Sequence, residues 1–217
     1  MTRRTNARIA GVAYLLYIAA AFPSMVLSAR ATAGDGWAAK LATMVAHAAD
    51  VRLAAVLTLT GCFCALVLAV TLYAITRDQD RDLAMFALTC RVAEGIVGAA
   101  WIAATLAVLG TATLTGGEAV AAFVLQQNEV IAATFFAVGS TVFSWLLLRG
   151  KMVPTWLAWL GIIGSAVVAV AMPLRTLQVL SGSAAQLTWV PVGVFEVVLA
   201  VWLIVKGVGG PEGVPNA

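Results

Sequence analysis

Leu53-Ala-Ala-Val-Leu-Thr-Leu-Thr-Gly-Cys-Phe-Cys-Ala-Leu-Val-Leu-Ala-Val-Thr-Leu-Tyr-Ala-Ile75 runs for 23 residues without a charge. At roughly 1.5 Å per residue it makes a helix of about 34 Å, enough to cross a hydrocarbon core of roughly 30 Å. One residue later comes Arg77-Asp-Gln-Asp-Arg-Asp82, with five charges in six residues. A charged loop beginning where an apolar run reaches membrane length is the pattern of a transmembrane helix.

The rest of the chain repeats that pattern. Hydrophobic residues make up 62% and charged residues 11% of its 217 positions, and mean hydropathy is +0.99. Soluble domains carry about 25% charged residues, and one soluble core of this length could not hide so much apolar surface. Reading apolar runs against breakers predicts six helices, at 9–28, 53–75, 83–113, 130–148, 155–172 and 189–205. The expected fold is an all-α, polytopic transmembrane bundle over residues 1–208, with a disordered tail at 209–217. Strands of a membrane barrel would be half as long and would alternate in polarity. Gly34-Asp35-Gly36, Gly116-Gly117, Arg149-Gly-Lys-Met-Val-Pro154 and Ser181-Gly-Ser183 punctuate the loops, and Pro154 suits the first turn of the fifth helix. Residues 118–125 read as an interfacial segment. Arg3, Arg4 and Arg8 before an apolar run, with Ala29-Arg30-Ala31 after it, imitate a signal peptide. The run is too long for one and reads as a retained helix.

Orientation follows from lysine and arginine. One side holds Arg3, Arg4, Arg8, Arg77, Arg81, Arg149, Lys151 and Lys206, and the other Arg30, Lys40, Arg52 and Arg175. The heavier side is expected in the cytoplasm, with both termini. Trp145, Trp156, Trp159 and Trp202 then lie near the inner interface and Trp37 and Trp189 near the outer one, as an aromatic belt requires.

Several chemistries are disfavoured. A net charge of +3 without a dense basic block argues against nucleic acid. The chain has one histidine, whereas a bundle haem wants a histidine pair and a catalytic zinc about three ligands. No metal or other cofactor is expected. Cys62, Cys64 and Cys90 read as small hydrophobes inside spans. Gly95-Ile-Val-Gly98 and Gly161-Ile-Ile-Gly-Ser165 read as sites of close helix approach, and such small-residue faces also offer a route to a homo-oligomer.

What remains is charge inside the membrane, where it is costly. Glu196 stands about 10 Å along a span only 17 residues long, too deep for a glutamate to reach water. Arg91 and Glu94 lie three apart on one helix face, within an apolar segment of 31 residues. That register leaves two depths open, the midplane or the inner headgroups. His47, Asp50, Arg52, Glu129 and Arg175 read as outer-interface residues. These groups together predict a polar outer-half cavity centred on Glu196 with Arg91 and Glu94 as its floor.

Ala7-Arg-Ile-Ala-Gly-Val-Ala-Tyr-Leu-Leu16, Leu72-Tyr73, Arg149-Gly-Lys-Met-Val-Pro-Thr-Trp-Leu-Ala-Trp-Leu-Gly-Ile-Ile-Gly164 and Phe195-Glu-Val-Val-Leu-Ala-Val-Trp-Leu-Ile-Val-Lys-Gly-Val208 carry a resemblance. Together they resemble the bacterial membrane family catalogued as domain of unknown function 4386, across about residues 7–208. The closing pattern of Pro191, Glu196, Trp202-Leu203 and Lys206-Gly207 is its most specific part. Val51-Arg52 departs from it, standing where an aromatic-arginine pair is usual. The resemblance implies a multi-pass protein of the bacterial plasma membrane and brings no substrate or catalytic residue.

The functional expectation is therefore a protein that binds or moves a small molecule, an ion or protons at Glu196. The rival expectation is a non-catalytic scaffold or partner subunit whose buried charges brace the helices. An enzyme acting through Glu94, Glu129 and Glu196 ranks last, for want of histidines.

Overall fold

A computed structural model describes residues 1–112, 116–126, 130–180 and 182–209. They form α1 (Arg3–Ala31), α2 (Gly36–Ala46), α3 (Ala48–Thr76), α4 (Arg81–Thr111), α5 (Gly117–Gln126), α6 (Val130–Arg149), α7 (Thr155–Thr176), α8 (Gly182–Leu187) and α9 (Trp189–Val205). No strand occurs among the described residues. Six helical stretches are long and apolar enough to cross a membrane. α1, α3, α4, α6, α7 and α9 fall on the six expected spans; α1, α3 and α7 run several residues past the expected ends, α4 stops at Thr111, and α9 has the expected bounds.

Capping fixes two of these starts. The Thr2 hydroxyl accepts from the Thr5 amide at 3.1 Å, and Asp80 Oδ1 accepts from the Leu83 amide at 3.1 Å. Each satisfies an amide that the first turn leaves without a partner. Pro154 is the N-cap of α7 and not a member of its first turn. Its fixed φ still delivers the chain into the helix without a clash.

The long helices are neighbours in the order of the sequence. α1 packs on α3, α3 on α4, α4 on α6, α6 on α7, and α7 on α9, which closes back on α1. The result is an antiparallel six-helix ring, the arrangement short connections favour. Closure depends on small residues. A Cβ on Gly11 would meet the Ala200 carbonyl oxygen and Ile204 Cγ1, each at 2.7 Å, so α1 and α9 touch nearly backbone to backbone. Gly139 does the same for α6 against Ala87, Cys90 and Arg91 of α4. Ser24 adds a polar tie, donating to the Ala54 carbonyl at 3.1 Å across α1 and α3.

One end of the ring gathers the start of α1 and the end of α9. Arg3 Nη2 donates to the Ile75 carbonyl at 3.3 Å, and the Gly209 amide to that of Met152 at 2.9 Å. The opposite end is capped by α2 and α5, whose apolar sides join Ala31, Val51 and Val108 in a small second core around Leu41, Met44 and Ala121. α2 was not among the expected helices. At 11 residues it is too short for a hydropathy reading, and its helical signal is the spacing of Leu41 and Met44.

Candidate functional site

Inside the ring, halfway along the helices, lies a knot of polar side chains. Arg91 stands about 15 Å and Glu94 about 20 Å into α4, counting rise per residue. Glu196 stands about 10 Å into α9 and Ser140 about 15 Å into α6, while Ser165 of α7 follows Gly164, which packs on Pro191 and Val192, about one turn from Glu196. Tyr14 and Tyr17 occupy the same level on α1. From the contact of Gly11 with Ala200, one turn forward on α1 reaches Tyr14 and one turn back on α9 reaches Glu196.

This geometry puts the α4 pair inside the ring, well short of either end. Arg91 has no exposed surface and Glu94 is 7% exposed, so both are enclosed by neighbouring helices. Arg91 Nη1 lies 2.8 Å from Glu94 Oε2, close enough for an ion pair but off the line of a directed hydrogen bond. The Tyr17 hydroxyl donates to Glu94 Oε1 at 3.2 Å. The Phe136 ring faces the guanidinium at 4.8 Å and that of Tyr17 at 5.9 Å, within cation–π range of a weakly hydrated cation.

Glu196 is equally enclosed, at 6% exposure, and lies within electrostatic reach of Arg91 and Glu94. Its Oε1 makes no hydrogen bond among the described residues; nor do Arg91 Nε and Nη2 or the Ser140 and Ser165 hydroxyls. The knot thus holds two carboxylates against one guanidinium, with donor and acceptor capacity to spare.

The other expected site residues stand elsewhere. His47 Nδ1 is 3.3 Å from Asp50 Oδ2 at the α2–α3 junction, while Arg52 and Arg175 are exposed. Arg52 is about 14 Å up α3 from Gly61, and Arg175 about 21 Å up α7 from Gly161, which packs on Phe195 beside Glu196. Those heights keep them from ringing Glu196, so the described residues do not form the expected outer mouth. Glu129 lies outside the described residues, as does the tail from position 210. A concavity of about 640 Å³ does occur at the capped end, between Leu41 of α2 and Glu118 of α5, but none of the knot lines it. The small-residue motifs pack inside the ring: Gly98 against Cys62, and Gly161 against Phe195.

Tyr14 and Tyr17 are the members sequence reasoning passed over. The available signal was two hydroxyl-bearing aromatics three apart in an apolar span, on one helix face. Replacing Tyr17 with phenylalanine removes one hydrogen bond to a charged partner. Such bonds contribute about 1.5–3 kcal/mol in soluble proteins, and polar contacts within membranes average about 0.6 kcal/mol. The expected loss is about 1 kcal/mol, read as a lower melting temperature in detergent; an unchanged melt would show the bond to be energetically idle.

A ring of apolar helices around enclosed charges defines a multi-pass helical membrane protein. The chain belongs to the family described as domain of unknown function (DUF4386), which matches residues 9–207. No curated protein and no solved structure matches it.

Proposed function

We propose that the protein is a proton-linked membrane carrier of a small solute or ion, with Glu196 as the group that takes up and releases the proton. The observation that supports this is the unbalanced knot itself: one guanidinium, two carboxylates, and a buried Glu196 oxygen without a hydrogen bond. A buried carboxylate is stable only when protonated or paired, and Glu94 already holds Arg91. Neutrality therefore asks for one proton on the knot. The Phe136 ring and the backbone of Gly139 close tightly on Arg91, so a proton fits the space between these groups better than a larger cation. Ionisable residues held at this depth in other membrane proteins often serve as proton relays. By the excess of cations at the end where α1 starts and α9 finishes, that end faces the cytoplasm, and a proton reaching Glu196 crosses about half the membrane from either side.

The test follows the carboxyl C=O stretch by infrared difference spectroscopy as pH is varied. A protonated-acid band that titrates in the wild type, vanishes in Glu196→Gln and moves to lower pH in Glu94→Gln, where Arg91 is left to Glu196 alone, is the expected result. Glu196→Gln, which mimics the protonated acid, is expected to melt within about 1 kcal/mol of wild type or above it, since groups kept for function are often held at a cost in stability. Reconstituted protein should also pass protons down an imposed pH gradient, and the glutamine variant should not.

A second reading has its own support. The 2.8 Å contact of Arg91 with Glu94 is also what a brace inside a scaffold would show. On that reading Glu196→Gln melts the protein at every pH, and no acid band titrates.

A further inference from the structure

We propose that the basic end of α9 is a binding site for an anionic phospholipid, its headgroup on Lys206, Arg4 and Arg8 and one acyl chain along the groove that runs from them. The groove measures about 390 Å³, is lined by Val197, Val198, Val201, Trp202 and Val205, and is closed at one end by Lys206. Spacings of three and four place these residues on one stripe of α9, with α1 and α7 on its flanks. Most of the helix surface that faces lipid needs only to be apolar. This stretch differs in being recessed and in ending at cations drawn from more than one segment.

The chain's last described turn assembles those cations. Gly207 adopts φ +73, a left-handed conformation that ends α9 and turns residues 208 and 209 back toward the ring. Gly207 then lies against α1, where a Cβ would stand 3.8 Å from Arg4 Cγ. Arg8 follows one turn along α1. The bond from the Gly209 amide to the Met152 carbonyl brings the turn that carries Lys151 to the same edge. Arg4, Arg8, Lys151 and Lys206 are all exposed. Of the acids at this end, Asp78 lies with Arg77 at 3.9 Å and Asp80 with Arg149 at 3.5 Å, and Asp82 stands at the start of α4, across the ring from α9. Among the described residues Arg4, Arg8 and Lys206 have no ion-pair partner. A net negative headgroup complements this edge, whereas a zwitterionic one brings no net charge to it. Trp202, one turn inside Lys206, sits at the depth where a headgroup meets its chains.

This site is independent of Glu196 and of the proton reading. Native mass spectrometry and melting in detergent would compare phosphatidylglycerol with phosphatidylcholine of identical chains. The expected result is retention of phosphatidylglycerol, with a melting temperature several degrees above that given by phosphatidylcholine. Each cation removed should lower the preference about fivefold, as expected for a charge near an anionic surface, so Lys206→Gln and the Arg4→Gln/Lys206→Gln pair should erode it stepwise. Val201→Trp, which fills the groove and leaves the charges, should lower retention of the lipid. Equal binding of the two lipids overturns the proposal, as does a preference that survives the paired substitution. Stabilisation by inorganic phosphate alone would show an anion site without a lipid. A second protomer retained in place of lipid would assign the groove to self-association.

Discussion

Replacing Arg91 with methionine is expected to cost about 3–5 kcal/mol and to remove most of the folded protein from a detergent extract. Methionine keeps the length and flexibility of the side chain and fills much of its volume, so the loss is one of charge and not of packing. With the guanidinium gone, Glu94 retains only the Tyr17 hydroxyl at 3.2 Å, and two enclosed carboxylates face each other with no positive charge among their described neighbours. An uncompensated buried charge is the costly state, more so than the absence of the pair. The double variant Arg91→Met/Glu94→Gln is therefore expected to recover at least half of the loss. Arg91→Lys should fall between them, because an ammonium is more strongly hydrated and cannot lie flat against Phe136. Fluorescence-detected size exclusion after a temperature ramp measures all three. If Arg91→Met melts within about 1 kcal/mol of wild type, the pair is not a tie in the fold.

The second large effect belongs to Gly11, which carries no charge. Alanine is the better helix former by up to about 1 kcal/mol, so propensity alone would make Gly11→Ala stabilising. Packing decides the opposite sign. The added methyl meets the Ala200 carbonyl oxygen at 2.7 Å, and a backbone atom in a helix cannot turn aside as a side chain can. Overpacking of this kind costs about 1–3 kcal/mol, and Gly11→Leu, which must part α1 from α9 altogether, should cost more. Gly193 supplies the contrast, since nothing lies within 4 Å of its added methyl; Gly193→Ala should be neutral or gain up to about 1 kcal/mol. Equal melts for Gly11→Ala and Gly193→Ala would mean that the ring tolerates a wider seam than its geometry implies. The seam also sets the approach of Tyr14 to Glu196, so Gly11→Ala should shift any acid band that depends on Glu196.

Much of the architecture was legible in the residues. Stretches such as 53–75 have one stable environment, and their lengths match the bilayer because rise per residue and hydrocarbon thickness are fixed quantities. The ends of the spans were read less well, as in α3, which begins at Ala48 rather than at position 53. Polar residues such as Asp50 and Arg52 continue a helix past the lipid, where hydropathy no longer marks it. Glu196 and Arg91 were also legible, because an ionisable group in an apolar run is conspicuous whatever surrounds it.

The companions of those charges were not legible. Arg52 and Arg175 have the right charge for Glu196 and the wrong height. Tyr17 is 77 positions from Glu94 in sequence, and nothing near either residue announces the other. Sequence by itself determined that the chain forms membrane-length helices and carries ionisable groups within them, because both properties reside in single segments. The ring's closure through α1 and α9, the mid-height of the Arg91–Glu94 pair, and its union with Glu196 and two tyrosines were decided only by the tertiary structure. Partners across helices depend on which small residues let two backbones meet, and that choice belongs to pairs of helices, not to either one alone.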